Sequence, residues 1–293
     1  MPIFINVWSV AKNLYPKKTG NKTTSITVGQ LQENHLKRKR MTITVRASES
    51  SHWYTRDGQP KYTVEAKNGQ PRNTTLADAR KLNLVPSVTT IIGCAAKPGL
   101  EAWKLNQMML AAMTLPRAPD EAEDLYVQRV IKDSREHARA AAQRGTEVHT
   151  ALESWYEGVM VADMMEYQMG VGEEVKKHFG EPEWISEKSF ANDLGFGGKL
   201  DLHTEDGDGI VIDFKTKEFT DPEKVDVYDE HLMQLAAYRL GLDLPYARCA
   251  NVFVSVTEPG LVVIKEWSQE DLERGEEMFY HLLKYWQAKN KHT

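Results

Sequence analysis

Cysteine is scarce in this chain, since Cys94 and Cys249 are the only two among 293 residues. Two cysteines cannot supply a disulfide scaffold, a four-cysteine zinc site or a four-cysteine iron–sulfur cluster. The sequence also lacks an apolar run near the roughly 18 residues that a membrane-spanning helix needs. Its first residues lack the charged, apolar and small-residue regions of a signal peptide. We therefore expect a protein of a reducing, cytoplasmic compartment that has no membrane contact.

Basic charge is in deficit overall and is unevenly distributed. The formal net charge is -5, from 37 basic and 42 acidic residues. Residues 1–40 carry eight basic residues and one acid, Glu33, which leaves 29 basic and 41 acidic residues, a net charge of -12, in residues 41–293. An anionic partner of this body would therefore need a local basic groove or a bound cation.

The first 40 residues are polar, have no sustained periodicity and end in HLKRKR. We interpret residues 1–40 as a flexible basic arm, either a tail that touches DNA or a segment without a fold. Lys and Arg have purine-only codons, so LKRKR before Met41 also suggests a translated ribosome-binding site. On that hypothesis the arm is not native and the chain starts at Met41.

Over the whole chain, a hydrophobic content of 41% and a charged content of 27% are typical of a globular protein. The patterns predict both strands and helices, with Ser87 as an N-cap and Pro98-Gly99 between two helices. Gly145 is predicted to mark a break or a close contact in a long helix. Predicted strands cover 41–46, two short segments around Asp57-Gly58 within 52–64, 183–190, 195–202, 209–215, 250–256 and 261–266. Predicted helices cover 75–84, the two parts of 88–113, 120–158, 161–179, 231–240 and 268–289.

The most informative chemistry lies in a predicted hairpin, where Asp201 is near the end of one strand and Asp213 near the end of the next. Side chains alternate along a strand, so Asp213 and Lys215 share a face while Phe214 points to the other. Two carboxylates and a backbone carbonyl make a hard oxygen site suited to Mg²⁺ or Mn²⁺. A neighbouring lysine can position or deprotonate a water and neutralise charge that builds on a phosphate. Asp-Phe-Lys alone is more often a solvated face, but Asp201 on the adjacent strand favours a site.

Two helices carry further polar pairs at i, i+4 spacing, so each pair shares one helix face. His149 could complete a metal shell through an imidazole nitrogen, and Glu153 could support it or hold a metal-bound water. Gln234 and Tyr238 form the second pair. Taken alone, these pairs are more often a surface His–Glu pair and ordinary polar positions of an amphipathic helix.

The four pieces occur in one order along the chain: GxxxxH on a helix, Asp on a strand, DXK, and QxxxY on a helix. This order resembles the PD-(D/E)XK nuclease superfamily, and within it the RecB-like branch with phage-type exonucleases. One departure is Leu200, which stands where the family usually has proline. Residues 86–92, PSVTTII, and Trp103 are also similar to exonucleases of this branch. The matching residues are Gly145 with His149, Asp201, Asp213-Phe214-Lys215, and Gln234 with Tyr238.

The resemblance implies an α/β fold with a mixed central β-sheet flanked by helices, a restriction-endonuclease-like core at about 86–290 within a domain of 41–293, and a helical N-terminal elaboration. It implies hydrolysis of DNA phosphodiester bonds with Mg²⁺ or Mn²⁺. His149, Asp201, Asp213 and the Phe214 carbonyl would hold the metal. Lys215 would activate water, and Gln234 and Tyr238 would bind DNA or brace the site. The two cysteines favour a branch without an iron–sulfur cluster.

Contacts with DNA outside the metal site are predicted on the helices that precede it. Trp103 could stack on a base, and Lys97 and Lys104 could bind phosphates. A solvated helix face is an equally good interpretation of the basic residues near His149. We interpret the methionines at 108, 109, 113, 164, 165 and 169 as core residues. The predicted DNA-binding set is Ser87, Thr89, Lys97, Trp103, Lys104, Arg139 and Arg144.

We therefore expect a Mg²⁺-dependent exonuclease that acts on DNA ends in phage or bacterial recombination, repair or replication. Its partner would be single- or double-stranded DNA, together with a single-strand annealing or binding protein. A structure-selective endonuclease of the same fold is the first alternative. The second alternative is a catalytically idle DNA-binding module, although such a module has no need for Asp201, Asp213 and Lys215. Oligomeric state stays open.

Overall fold

The computed structural model describes residues 52–293, and the predicted strand at 41–46 and the basic arm lie outside them. The described residues form a mixed α/β fold in which a mixed five-stranded sheet is flanked by helices. The strands are β1 (Trp53–Tyr54), β2 (Thr63–Glu65), β3 (Pro71–Asn73), β4 (Val85–Pro86), β5 (Ile185–Ser186), β6 (Ser189–Asn192), β7 (Phe196–Lys199), β8 (Leu202–Thr204), β9 (Ile210–Lys217), β10 (Arg248–Ser255) and β11 (Val262–Trp267). The α-helices are α1 (Leu76–Leu82), α2 (Val88–Ile92), α3 (Pro98–Thr114), α4 (Glu123–Tyr156), α5 (Met165–Phe179), α6 (Asp229–Gly241) and α7 (Gln269–Asn290).

The main sheet has the strand order β11-β10-β9-β8-β5. Only β9 and β10 pair in parallel, and the connection between them is the helix α6, as a parallel pair requires a crossover. β10 is buried from Cys249 to Ser255, because its near-continuous apolar sequence suits a central strand that is covered on both faces. The strands predicted at 209–215, 250–256 and 261–266 and the helix at 231–240 are confirmed within one or two residues at most ends.

Alternation along β9 builds one apolar layer on each face of the sheet. Val211 belongs to a cluster with Leu235 of α6 and Phe279 of α7. Ile212 and Phe214 belong to a second cluster, formed with α4 and α5. Every second residue of β9 therefore faces α6, and the residues between them face α4.

The predicted strand at 195–202 is wrong in one respect, because it is interrupted. β7 pairs with β6 in a separate two-stranded sheet, whereas β8 joins the main sheet. Leu200 and Asp201 lie between the two strands. The Leu200 side chain is fully buried. Its N–H donates to the Lys188 carbonyl, and the Asp201 carbonyl accepts from the Glu187 N–H.

The long helix α4 runs through Gly145 without a break. Of the two predictions for this glycine, the break is therefore wrong and the close contact is confirmed. A Cβ at Gly145 would lie 2.9 Å from Thr216 Oγ1 of β9. Val148 and Leu152, one and two turns later, are buried against the sheet. Glycine thus allows α4 to approach the C-terminal end of β9 closely.

The prediction of two paired strands around Asp57-Gly58 is corrected. A turn forms there, with Gly58 at φ +87°, but its flanks meet in a single bridge, Tyr54 with Pro60. Proline has no N–H to extend a ladder. β1 pairs instead with β4, and β2 pairs with β3.

The interpretation of the methionines as core residues is wrong for most of them. Met113 of α3 is 78% exposed, and Ala111 is the one buried residue of that helix. Met164 is partly buried against the second apolar layer. The exposed ones are Met108, Met109, Met113, Met165 and Met169. Among residues 52–293, no helix combines the length and apolar character needed to span a membrane.

Packing of α5 against the turn before β11 gives a stability prediction. A Cβ at Gly170 would lie 2.5 Å from the carbonyl oxygen of Gly260 and 2.7 Å from its Cα. Backbone atoms cannot rotate away, so Gly170→Ala should lower the free energy of unfolding by about 1–3 kcal/mol, measured by urea denaturation. Gly99→Ala is the control, because its Cβ would meet nothing within 4 Å and alanine favours a helix. Equal stability of Gly170→Ala and the unaltered protein would contradict this packing.

Candidate active site

Two predicted catalytic residues lie together in the middle of β9. Asp213 and Lys215 face α6, and Lys215 Nζ is 2.6 Å from Asp213 Oδ2. Asp213 is only 2% exposed, whereas the Lys215 side chain remains partly open to solvent. A buried carboxylate needs a partner of opposite charge and further donors, and the lysine two residues later supplies the charge.

Gln234 of α6 connects both of these residues. Its Oε1 accepts a hydrogen bond of 3.0 Å from Lys215 Nζ, and its Nε2 donates one of 2.8 Å to Asp213 Oδ1. The same Nε2 donates to the Tyr238 hydroxyl at 2.8 Å, one turn later on the helix. Of the two roles expected for Gln234 and Tyr238, bracing the site is the one that these hydrogen bonds perform.

Asn251 and Trp267 belong to the site, and the sequence analysis missed both. Asn251 stands opposite Asp213 in the parallel β9–β10 register, and its Nδ2 donates to Asp213 Oδ2 at 2.9 Å. Trp267 Nε1 in turn donates to Asn251 Oδ1 at 2.8 Å, which fixes the amide orientation. The available signal was a polar residue, Asn251, within the otherwise apolar strand at 250–256.

Asp201 reaches β9 from the interruption between β7 and β8. Its Oδ2 accepts a hydrogen bond of 2.8 Å from the Phe214 N–H, in place of the ladder hydrogen bond that a continuous β8 would make. The N–H and C=O of one strand residue point to the same side. The Phe214 carbonyl therefore points toward the side of β9 on which Asp201 lies.

His149 of α4 lies beside Asp201, with Nδ1 3.4 Å from Asp201 Oδ1. Its ring meets the Phe214 ring edge-on, at a centroid distance of 6.3 Å, and Phe214 stacks in turn on Tyr156 of α4. The four predicted site residues His149, Asp201, Asp213 and Lys215 are thus brought together beside the middle of β9.

The charges of this cluster shift its protonation equilibria in opposite directions. Burial raises the pKa of Asp201, but the hydrogen bond and charge of His149, the Lys215 charge and the Phe214 N–H outweigh it, so the pKa is lowered. Burial raises the pKa of Asp213, and the Asp201 charge adds to this against the opposing Lys215 charge, so the pKa is raised. Two nearby carboxylates with divergent pKa values are typical of functional sites.

The remaining predicted site residues do not all join this cluster. Glu153 is partly buried one turn beyond His149, and it makes no side-chain hydrogen bond or ion pair with any described residue. Ser87 is buried and caps α2, where its Oγ accepts from the Thr90 N–H at 3.1 Å. Thr89 is exposed on α2, and its hydroxyl lies 3.0 Å from that of Ser87.

The basic and aromatic residues predicted to bind DNA lie in two regions, one at α3 and one along α4. Lys97, which precedes α3, pairs with Glu230 of α6 at 2.6 Å, next to the site. Lys104 pairs with Glu101 on the surface of α3, which also exposes Trp103. Arg139 is exposed on α4. Arg144 donates to the Tyr167 hydroxyl at 3.2 Å, an intramolecular contact with α5. DNA binding by these residues stays a prediction.

Within residues 52–293, no three or more His, Cys, Asp or Glu side chains are grouped so that they could hold a metal ion. Hard divalent cations accept carbonyl oxygens and water in addition to one or two carboxylates. A cation at this site would therefore need the Phe214 carbonyl or water among its ligands.

Histidine titration followed by NMR tests the electrostatics of the metal-free site. Burial lowers the pKa of His149, but the Asp201 hydrogen bond and the charges of Asp201 and Asp213 outweigh it, so the pKa is above the usual 6.5. Asp201→Asn should lower it. Because the pKa of His149 is raised in the folded state, its protonated form stabilises the fold. This stabilisation is fully present below pH 6.5 and is lost as pH rises through the folded-state pKa.

His231 is the internal control for this titration. Burial, followed by the Lys215 charge, lowers the pKa of His231 to about 4, and Asp201→Asn should leave that value unchanged. A His149 pKa at or below 6.5 in the unaltered protein would contradict the assigned contact with Asp201.

No protein-family model and no curated protein matches this chain. Among solved structures, the chain is similar to the crystal structure of SSO0001, with 14% sequence identity and a TM-score of 0.27 over 62% of this chain and 86% of that chain. A TM-score this low carries no argument about fold or function.

Proposed function

We propose that this chain is a Mg²⁺- or Mn²⁺-dependent deoxyribonuclease of the PD-(D/E)XK superfamily, with a restriction-endonuclease-like core. The observation that carries the proposal is the convergence of His149, Asp201, Asp213 and Lys215 beside the middle of β9. These residues come from three separate segments of the chain. A surface Asp-Phe-Lys pattern would not be expected to meet a second carboxylate and a histidine.

The donor chemistry of the cluster fits a hard divalent cation. Asp213 is buried beside Asp201, and both burial and the Asp201 charge disfavour its ionised form. A bound cation would relieve this repulsion. Asp201, Asp213, the Phe214 carbonyl and His149 are the residues that would hold it. When bound, such a cation supplies Lewis acidity toward a phosphate oxygen and lowers the pKa of a bound water.

Lys215 has the position required of a group that orients water and stabilises phosphate charge. Its Nζ is fixed by Asp213 and Gln234 and still reaches solvent. In hydrolysis, the water oxygen bonds to phosphorus, the bond to the leaving oxygen breaks, and that oxygen takes a proton. The Lys215 ammonium can orient the attacking water and neutralise the added negative charge.

We propose exonuclease action on DNA ends in recombination, repair or replication, because the motif order is similar to the phage-type exonucleases. A single-strand annealing or binding protein would then receive the product strand. An endonuclease of the same fold would use the same cluster, so the distinction depends on the form of DNA that is cut.

Lys215→Ala tests the chemistry directly. Loss of the ammonium should reduce Mg²⁺-dependent cleavage of end-labelled DNA by about a hundredfold or more, while binding in Ca²⁺ remains. Lys188→Ala is a matched control, because Lys188 makes only a 3.5 Å surface ion pair with Glu205. Cleavage by Lys215→Ala at the unaltered rate would remove Lys215 from the reaction. DNA binding without any cleavage by the unaltered protein would instead identify an idle binding module.

The form of the substrate separates the two nuclease alternatives. We expect degradation of linear DNA in Mg²⁺ and no degradation of covalently closed circles, single- or double-stranded, because circles offer no end. Gel assays with equal concentrations of both forms give the comparison, and prior linearisation of the same circle restores a substrate. Cutting of intact circles at a comparable rate would replace exonuclease by endonuclease.

A further inference from the structure

Three lysines gather beside the candidate active site, although the body of the chain is acidic. Lys215 and Lys217 share a face of β9, about 7 Å apart along the strand. Lys97 joins them through its 2.6 Å ion pair with Glu230 of α6. His231, next in the chain after Glu230, is buried near all three, since each of their charges acts on it. A local group of basic residues therefore lies on the α6 side of β9.

Lys217 differs from the other two lysines in its partners. Lys215 pairs with Asp213 and Lys97 pairs with Glu230. Lys217 Nζ donates to the backbone carbonyl of Asp226 at 2.9 Å, and it forms no ion pair with any carboxylate of residues 52–293. The Asp226 carboxylate is near but does not pair with it. This ammonium is thus held in place while its charge remains available to an anion.

Tyr228 stands beside this ammonium and faces solvent. Lys217 Nζ lies 4.9 Å from the centroid of its ring, and the His231 ring lies at 5.4 Å. These contacts hold the aromatic ring, yet Tyr228 is 49% exposed. An ordered, exposed aromatic ring beside a cation is the combination with which proteins bind single-stranded nucleic acid.

Three neighbouring acids are paired with other cations. Glu230 is neutralised by Lys97, and Asp229 pairs with Arg274 at 3.3 Å. Asp221, in the same loop, pairs with Lys224 at 3.0 Å. The unpaired Asp226 carboxylate, whose charge acts on Lys217, is the remaining negative charge that an approaching phosphate would meet.

We propose that Lys217 and Tyr228 form a subsite for the nucleotide next to the scissile phosphate, with its unpaired base on Tyr228 and its phosphate on Lys217. This inference rests on the proposed function and adds a substrate class to it, because aromatic stacking of single bases is how proteins bind single-stranded nucleic acid. The substrate is then a single strand, or the frayed end of a duplex. Stacking on tyrosine accepts any base, so the subsite confers little sequence preference.

Binding measurements in Ca²⁺ with the Lys215→Ala protein test the subsite without cleavage. The probes are fluorescein-labelled oligothymidylate of 16 residues and an abasic oligonucleotide of equal length. Tyr228→Ala should weaken binding of oligothymidylate about five- to a hundredfold and leave the abasic strand unaffected, and Tyr228→Phe should restore binding. Lys217→Ala should weaken both strands and reduce the salt dependence of binding by about one phosphate contact.

Lys177→Ala is the control, because Lys177 lies on α5, on the other face of the sheet, with a 74% exposed side chain, and should leave binding unchanged. Equal affinity for oligothymidylate with and without the Tyr228→Ala substitution would overturn the subsite. So would an equal loss for both strands, which would show that Tyr228 only supports the loop.

Hydrolysis of bis(4-nitrophenyl) phosphate in Mn²⁺ separates this inference from the proposed function. That diester is too small to occupy the subsite, so Tyr228→Ala should hydrolyse it at the unaltered rate while losing activity on single-stranded DNA. Hydrolysis of neither substrate by the unaltered protein would refute the proposed nuclease. The binding comparison would still decide whether a nucleotide stacks on Tyr228.

Discussion

Burial of the Asp213 carboxylate is the constraint on which the rest of the site depends. An ionised group with 2% exposure is tolerable only if donors and a positive charge surround it. Lys215 of the same strand, Gln234 of α6 and Asn251 of β10 supply them. The register of the parallel β9–β10 pair and the rotation of α6 are therefore fixed by one carboxylate as well as by apolar packing. Removal of any donor would leave part of that charge unsatisfied, which destabilises a fold more than the lost hydrogen bond alone.

The interruption of the strand at Leu200 and Asp201 brings the second carboxylate of the site, Asp201, to β9. A continuous β8 would pair with β9 up to Phe214 and would occupy its N–H and carbonyl. Because the strand is interrupted, the Asp201 carboxylate takes the N–H, and the carbonyl on the same side is left for a ligand. Gly145 brings α4 close to β9, so His149 reaches Asp201 from the other face of the sheet. A local loss of strand pairing is thus converted into a cluster of oxygen and nitrogen donors.

The sequence predicted the elements of the site better than their surroundings. Asp213 and Lys215 were placed on one face by alternation, and His149, Gln234 and Tyr238 by helical spacing, because both rules are local. Asn251 escaped notice since its partner is 38 residues away and strand order was unknown. The methionines of α3 were misplaced for a similar reason: an apolar residue is expected inside only if another element covers it, and sequence does not show which helices lack a cover. The strand interruption, at which Leu200 is fully buried, has no turn signal of its own.

Binding of a polyanion by a protein of negative net charge depends more on where the charges lie than on their total. At physiological ionic strength, interactions between exposed charges are screened over about 8 Å, so distant carboxylates have little effect on a phosphate at the site. Within that range, Glu230 and Asp229 are neutralised by Lys97 and Arg274, and Lys217 forms no carboxylate pair among the described residues. Two features thus combine along β9: buried acids that would suit the proposed divalent cation, and a partly buried lysine beside an exposed aromatic ring. A nucleic acid would be attracted by both, but only after the cation has balanced Asp201 and Asp213, so we expect metal and strand to bind cooperatively.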